Sequence, residues 1–106
     1  MLYQDAIKLF KEKLKEVYGD RLIDVILYGS YARGEQEEGS DIDIIVLLKN
    51  ISDYWKEVYC VEEISYEVNE YFDWSVFISA FPEDVEVFNN KNIPLFLNIK
   101  REGILL

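Results

Sequence analysis

The stretch Ile23–Leu48, IDVILYGSYARGEQEEGSDIDIIVLL, decides the fold. Its first run, Ile23–Tyr28, is short and mostly apolar and reads as a strand. Gly29 breaks that run, and Ser30 is placed to cap a short helix starting near Tyr31. Glu35–Ser40 is polar and acidic, and reads as a loop. Asp41–Leu48 is apolar at both alternating sets of positions beyond its first residues. That pattern predicts a central strand covered on both faces.

Upstream, apolar residues fall at Tyr3, Ile7, Phe10, Leu14 and Val17, with Lys8, Lys11, Glu12 and Lys15 between them. This 4-3-4-3 spacing predicts an amphipathic helix over Leu2–Tyr18, stopped by Gly19. Downstream, Ser52 or Asp53 opens a long helix reaching about Phe72. Its inner stripe is Val58, Val61, Ile64 and Val68, and Glu57, Glu63, Glu67 and Glu70 are assigned mostly to the outside. Ser75–Ala80 reads as a third strand, Pro82 as the first turn of a short helix, and Pro94–Arg101 as a last helix ended by Gly103. The order is α-β-α-β-α-β-α-α, an α/β (α+β) sandwich of a small sheet flanked by helices. With 106 residues and no internal repeat, linker or low-complexity tract, one domain spanning 1–106 is expected.

Composition excludes several chemistries. Twenty-one acids against 11 bases give a net charge of −10, and there is no histidine. His-ligated zinc and any Ser-His or Cys-His triad are thereby excluded. An acidic surface repels phosphate backbones, so long nucleic acid is not the expected ligand. The acids suit divalent cations, or a basic protein partner steered by charge. The single cysteine, Cys60, permits no intrachain disulfide and reads as a small buried apolar residue. No run approaches the ~20 apolar residues of a membrane span, and Met1–Lys15 carries no apolar signal core, so a cytoplasmic location is expected. A chain this short leaves little room for a separate acceptor pocket, and a partner chain is expected to complete the site. Tyr54, Trp55, Tyr59, Tyr66, Tyr71 and Trp74 crowd the third helix and its exit. They cannot all face one core, which leaves either packing or an apolar patch for a homodimer or another partner.

The chemistry is concentrated between Gly29 and Asp43. Asp41 and Asp43 lie two apart on a strand, so both carboxylates project from one face about 6–7 Å apart. Such a pair can share a hard cation such as Mg²⁺, or can be two solvated acids at a strand start. An EF-hand is excluded because Val46 stands where its loop needs glycine. Gly29-Ser30, between a strand and a helix, can approach a phosphate with backbone N–H groups, or can be a turn with a cap. Gly29 and Gly34 have P-loop spacing, but Glu35-Gln36 replaces the Lys and Ser/Thr of that motif. Arg33, on the face shared with Ser30, can reach a phosphate or pair with Glu35, Glu37 or Asp41.

Taken together, Gly29-Ser30, ten intervening residues and Asp41-Ile42-Asp43 entering an apolar strand resemble the signature of the DNA polymerase beta-like nucleotidyltransferase superfamily. The local text LYGSYARG…SDIDIIV is similar to the minimal nucleotidyltransferases (MNT) of prokaryotes, which are often encoded beside a small helical HEPN protein as the antitoxin of a toxin–antitoxin pair. The resemblance covers nearly the whole chain, although only about fifteen residues carry specific motif information. It implies a small mixed β-sheet and ATP as substrate. It also implies phosphate binding by Gly29 and Ser30, two Mg²⁺ ions on Asp41 and Asp43, and transfer of adenylate to a hydroxyl with release of pyrophosphate.

Active members carry a third carboxylate on the next core strand. In FDWSVFIS the inward position aligns with Ser75, and Asp73 is the nearest acid on that face. Either Asp73 supplies the third catalytic, metal-binding carboxylate or the site has only two acids. The resemblance therefore favours adenylylation of a HEPN-type protein. The alternatives are a catalytically degenerate protein that neutralises a partner by binding, and transfer to a small molecule, which a chain without an acceptor domain serves poorly.

Overall fold

Residues 44–48 are buried without exception, as expected of a strand covered on both faces. In the computed structural model, which describes residues 2–106, this strand is β2 (Ile42–Leu48). It lies inside a four-stranded sheet of order β3-β2-β1-β4. β1 (Leu22–Tyr28) runs antiparallel to β2, with Tyr28 opposite Asp43. β3 (Ile78–Asp84) runs parallel to β2, with Ser79 opposite Asp43. A two-residue strand β4 (Ile104–Leu105), an element with no clear sequence pattern, pairs antiparallel with β1.

The alternation of β2 divides the core. Ile42, Ile44, Val46 and Leu48 face α1 (Leu2–Tyr18) and α3 (Tyr54–Tyr71), meeting Phe10 and Leu14 of the first and Val61, Ile64 and Val68 of the second. Ile45 and Leu47 face α4 (Val85–Asn90) and α5 (Pro94–Glu102), packing with Phe88, Phe96 and Ile99. Asp43 is therefore on the α4–α5 side of the sheet, at the end where β2 begins. The one-turn helix α2 (Ser30–Arg33) follows β1 directly. Cys60 is half-buried and packs against the α1–α3 core. Among the described residues no helix is long and apolar enough to cross a membrane.

Four local expectations are corrected. Tyr18, not Val17, completes the buried stripe of α1, and Val17 is exposed. Tyr18 turns inward because its hydroxyl donates to Glu57 at 3.2 Å, and Glu57, assigned outside by periodicity, is buried. Arg21, from the 3-10 turn Gly19–Arg21, pairs with the same carboxylate. Burial, with Cys60 and Glu57 alongside, pushes the Tyr18 phenol well above its ordinary range.

The third strand occupies Ile78–Asp84 rather than Ser75–Ala80, so Pro82 is a strand residue and not the first turn of a helix. A proline is tolerated there because β3 is an edge strand. Asp84 instead caps α4, accepting from the N–H groups of Glu86 and Val87. The start of β3 is set by Asn69, buried on α3. Its side chain accepts from the Ile78 N–H at 2.8 Å and donates to the Ile78 carbonyl at 3.2 Å, as a neighbouring strand would. Lastly, Ser30 is the first residue of α2 and Gly29 stands at the cap position, so Ser30 does not cap the helix.

Asn69→Ala leaves both polar groups of Ile78 unpaired in a buried position. It is expected to cost about 2–4 kcal/mol in a urea unfolding curve, against less than about 1 kcal/mol for the exposed neighbour Glu70→Ala. Equal losses for the two variants would contradict the role given to Asn69.

Candidate active site

The chain leaves β1 at Tyr28 and reverses over the start of β2. Gly29 makes that reversal with φ 75° and ψ −154°, a region accessible in practice to glycine alone. The space beside it is also taken. A Cβ on residue 29 would overlap Asp43 Oδ2 and stand 3.2 Å from Asp43 Cγ. The Asp43 carboxylate thus packs directly against the backbone from which α2 starts. Ser30, Tyr31 and Ala32, in the first turn of α2, have N–H groups without intrahelical partners. A strand carboxylate and a turn of free backbone donors are in this way brought within one small volume.

Asp43 is half-buried, and Asp41 is exposed just before β2 begins. Burial holds the Asp43 carboxyl above its ordinary range, the charge of Asp41 adds to this, and Arg33 acts against it. Tyr28, paired with Asp43 across the ladder, is pushed up to about 12 by burial and by the Asp43 charge. Two carboxylates on one face, one of them electrostatically stressed, form a donor set that fits a hard divalent cation completed by water and phosphate oxygens.

Arg33 does not pair with Asp41. Its guanidinium binds Glu35 at 2.5 Å and Glu102, at the end of α5, at 3.0 Å. Glu102, absent from the sequence-based site, ties α2 to the far end of the chain. The long-range pairing of β4 with β1 holds the end of α5 there, and no local pattern could have revealed it.

Asp73 lies in the turn after α3, exposed, with φ 54° and its N–H bonded to the Glu70 carbonyl. Ser75 also precedes the strand. The residue beside Asp43 on β3, on the same face, is Ser79. Among the described residues no three or more Asp, Glu or Cys side chains are grouped so as to hold a metal ion, so Asp73 is not brought to Asp41 and Asp43. Ser79 was within reach of sequence reasoning only if the register of β3 were known.

Comparison with known proteins identifies the class. The pattern of the family described as nucleotidyltransferase domain matches residues 7–96. A Methanocaldococcus jannaschii protein, provisionally named a protein adenylyltransferase, is 36% identical over 104 residues, 97% of this chain and 96% of its own length. A second protein of that organism with the same provisional name is 52% identical over 42 residues, 40% of this chain and 29% of its own. The chain belongs to the nucleotidyltransferase domain family.

Solved structures share the fold at lower identity. A toxin–antitoxin with AMP-PNP superposes with a TM-score of 0.62 at 22% identity, over 91% of this chain and 68% of that one. A Shewanella oneidensis complex of a tri-AMPylated HEPN toxin with an MNT antitoxin gives 0.58 at 19% identity, over 99% and 71%.

The carboxylate–glycine contact can be tested without any substrate. Gly29→Ala is expected to destabilise the fold strongly, and Asp43→Ala is expected to relieve part of that loss by opening space. A double-mutant cycle measures the coupling, and purely additive effects would disprove the contact. Because its folded pKa is raised, Asp43 binds more protons folded than unfolded. Stability therefore falls as pH rises from its unfolded towards its folded pKa and stays reduced above it. Asp43→Asn is accordingly expected to raise the melting temperature at pH 7, with a smaller gain at pH 4.

Proposed function

We propose that this nucleotidyltransferase transfers AMP from ATP, with Mg²⁺, to a hydroxyl group on a HEPN-type protein, acting as the antitoxin of a toxin–antitoxin pair. The observation that carries this reading is the packing of the Asp43 carboxylate against Gly29, with Asp41 one pleat away. It supports the reading because carboxylate oxygens able to hold a cation then stand beside backbone N–H groups without intrahelical partners, the two things a triphosphate requires. The full-length relative provisionally named a protein adenylyltransferase supports a protein acceptor. Among structures of the same fold, the HEPN complex supports the partner.

In this reading the Gly29-Ser30 backbone and the Ser30 hydroxyl hold the terminal phosphates. Asp41 and Asp43 would hold two Mg²⁺ ions, which would supply positive charge to neutralise the phosphates. Arg33 remains bound to Glu35 and Glu102, and contributes its positive field to Asp43. The acceptor oxygen bonds to the α-phosphorus, the bond to the β-phosphate oxygen breaks, and pyrophosphate leaves while the hydroxyl proton passes to water. Asp73, exposed on its turn, has no part in this assignment.

Incubation with ATP labelled at the α-phosphate, Mg²⁺ and the HEPN-type protein encoded nearest its gene is expected to label that protein. ATP labelled at the γ-phosphate is not expected to do so. Asp41→Ala/Asp43→Ala should reduce transfer by about 10³-fold or more. No transfer from the α-label to the authentic partner would refute the reading.

A second reading, neutralisation by binding alone, is favoured by Ser79 in the position beside Asp43 and by the −10 charge. It predicts that the double variant still suppresses the partner's toxicity, whereas the first reading predicts that suppression is lost although the complex still forms.

A further inference from the structure

The outer edge of β3 exposes very little backbone. The Ile42 N–H donates to the Phe77 carbonyl at 2.8 Å, so odd-numbered residues of β3 direct their backbone groups towards β2. Even-numbered residues direct theirs outward. Ile78 is satisfied by the Asn69 side chain, and Pro82 has no N–H to offer. Between these two stoppers, Ala80 alone presents both a donor and an acceptor to the outside.

That position opens into a groove of about 260 Å³ between α3 and β3. One wall is a ring cluster: Tyr66 meets Trp74 edge-on at 5.1 Å, and Trp74 meets Phe77 at 5.9 Å. The three rings are 55%, 45% and 45% exposed, far more than rings packed in a core. Ser79 lies between this groove and Asp43, one strand spacing of about 5 Å from the candidate site. Among the described residues Glu62 lines the groove and no Lys or Arg does, in a chain whose net charge is −10.

We propose that this groove receives an extended, basic segment of the acceptor protein, paired with Ala80 and seated on Tyr66, Trp74 and Phe77. The inference rests on the reading of the chain as a transferase to a protein hydroxyl, and it supplies that reaction's acceptor site. One residue of strand-like pairing sets the direction of the segment without offering an edge long enough for aggregation. The aromatic wall supplies apolar contact, and Glu62, in a chain of net charge −10, favours a positively charged strand. A strand paired outside β3 presents alternate side chains to the two sheet faces, so a hydroxyl side chain on the α4–α5 side, away from the groove, points across Ser79 towards Asp43.

The probe is the synthetic peptide Lys-Val-Lys-Val-Tyr-Val-Lys-Val-Lys, titrated into the whole, isotopically labelled chain and followed by amide and indole NMR. Saturable shifts centred on the Ala80 amide and the Trp74 indole are expected. Trp74→Ala and Ala80→Pro should each weaken binding by about tenfold or more, with melting temperature and Mg²⁺–ATP binding retained. Trp74→Phe, which keeps an aromatic wall, should bind nearly as well as the unaltered chain. Shifts centred elsewhere would overturn the proposal. So would equal binding of the peptide with Glu in place of Lys, or shifts at Ala80 and Trp74 that follow protein concentration without peptide, the mark of a second copy.

The two claims fail separately. Peptide binding in the groove without α-label transfer to the HEPN-type protein sinks the transferase reading and leaves the groove. Normal label transfer by Trp74→Ala sinks the groove and leaves the transferase.

Discussion

The contact between the Asp43 carboxylate and the Gly29 backbone constrains more of this protein than any other. It requires β1 and β2 to be paired so that Tyr28 lies opposite Asp43, and the chain to reverse within one residue of that pair. Any side chain at residue 29 would occupy the space of the carboxylate. The short helix α2 is held over the start of β2 as a result, and its free N–H groups face the same volume as the acid. The cost is electrostatic. A half-buried carboxylate next to a second one is held above its ordinary pKa, an unfavourable concentration of negative charge that a cation would relieve.

The rest of the chain stabilises that arrangement from a distance. α4 and α5 cover Ile45 and Leu47, which leaves the β2 face open only at its first turn, where Asp43 stands. The end of α5 returns to α2 through Glu102 and Arg33, and the chain then pairs with β1 as β4. Gly103 permits that return, because a Cβ there would stand 2.6 Å from Ile26 Cγ2. On the opposite face, the buried Glu57 gathers Tyr18 and the partly exposed Arg21 into one polar cluster, fixing the end of α1 against the start of α3. Breaking such a cluster on one side costs more than never having built it, which makes it a determinant of register between the two helices.

Ser79 is where fold and chemistry part. Its backbone completes the ladder with β2, and its side chain shares the face of Asp43, so a carboxylate at that position would have made a third acid in the site. A hydroxyl adds a donor but no negative charge, so Asp41 and Asp43 remain the two acids of that face. The open edge beyond Ser79 is limited to Ala80 by Asn69 and Pro82, so the acidic, aromatic surface of α3 adjoins the site through a very short stretch of unpaired strand.

Local patterns determined a large part of this protein. The 4-3-4-3 stripe placed α1, the doubly apolar run placed β2 at the centre of the sheet, and the spacing from Gly29-Ser30 to Asp41 and Asp43 identified the family that the comparisons confirm. These features depend on residues close together in the chain, where periodicity and turn chemistry carry the signal. Tertiary structure decided the remainder. The start of β3 depends on an Asn side chain from α3 standing in for a strand, which moved the strand three residues and put Ser79 rather than Ser75 beside Asp43. Glu57 is buried because Tyr18 and Arg21 meet it, Arg33 is bound by an acid 69 residues away, and β4 exists because β1 offers an edge. In each case the deciding energy lies in a pair of groups brought together only by folding, and neither member's local sequence contains it.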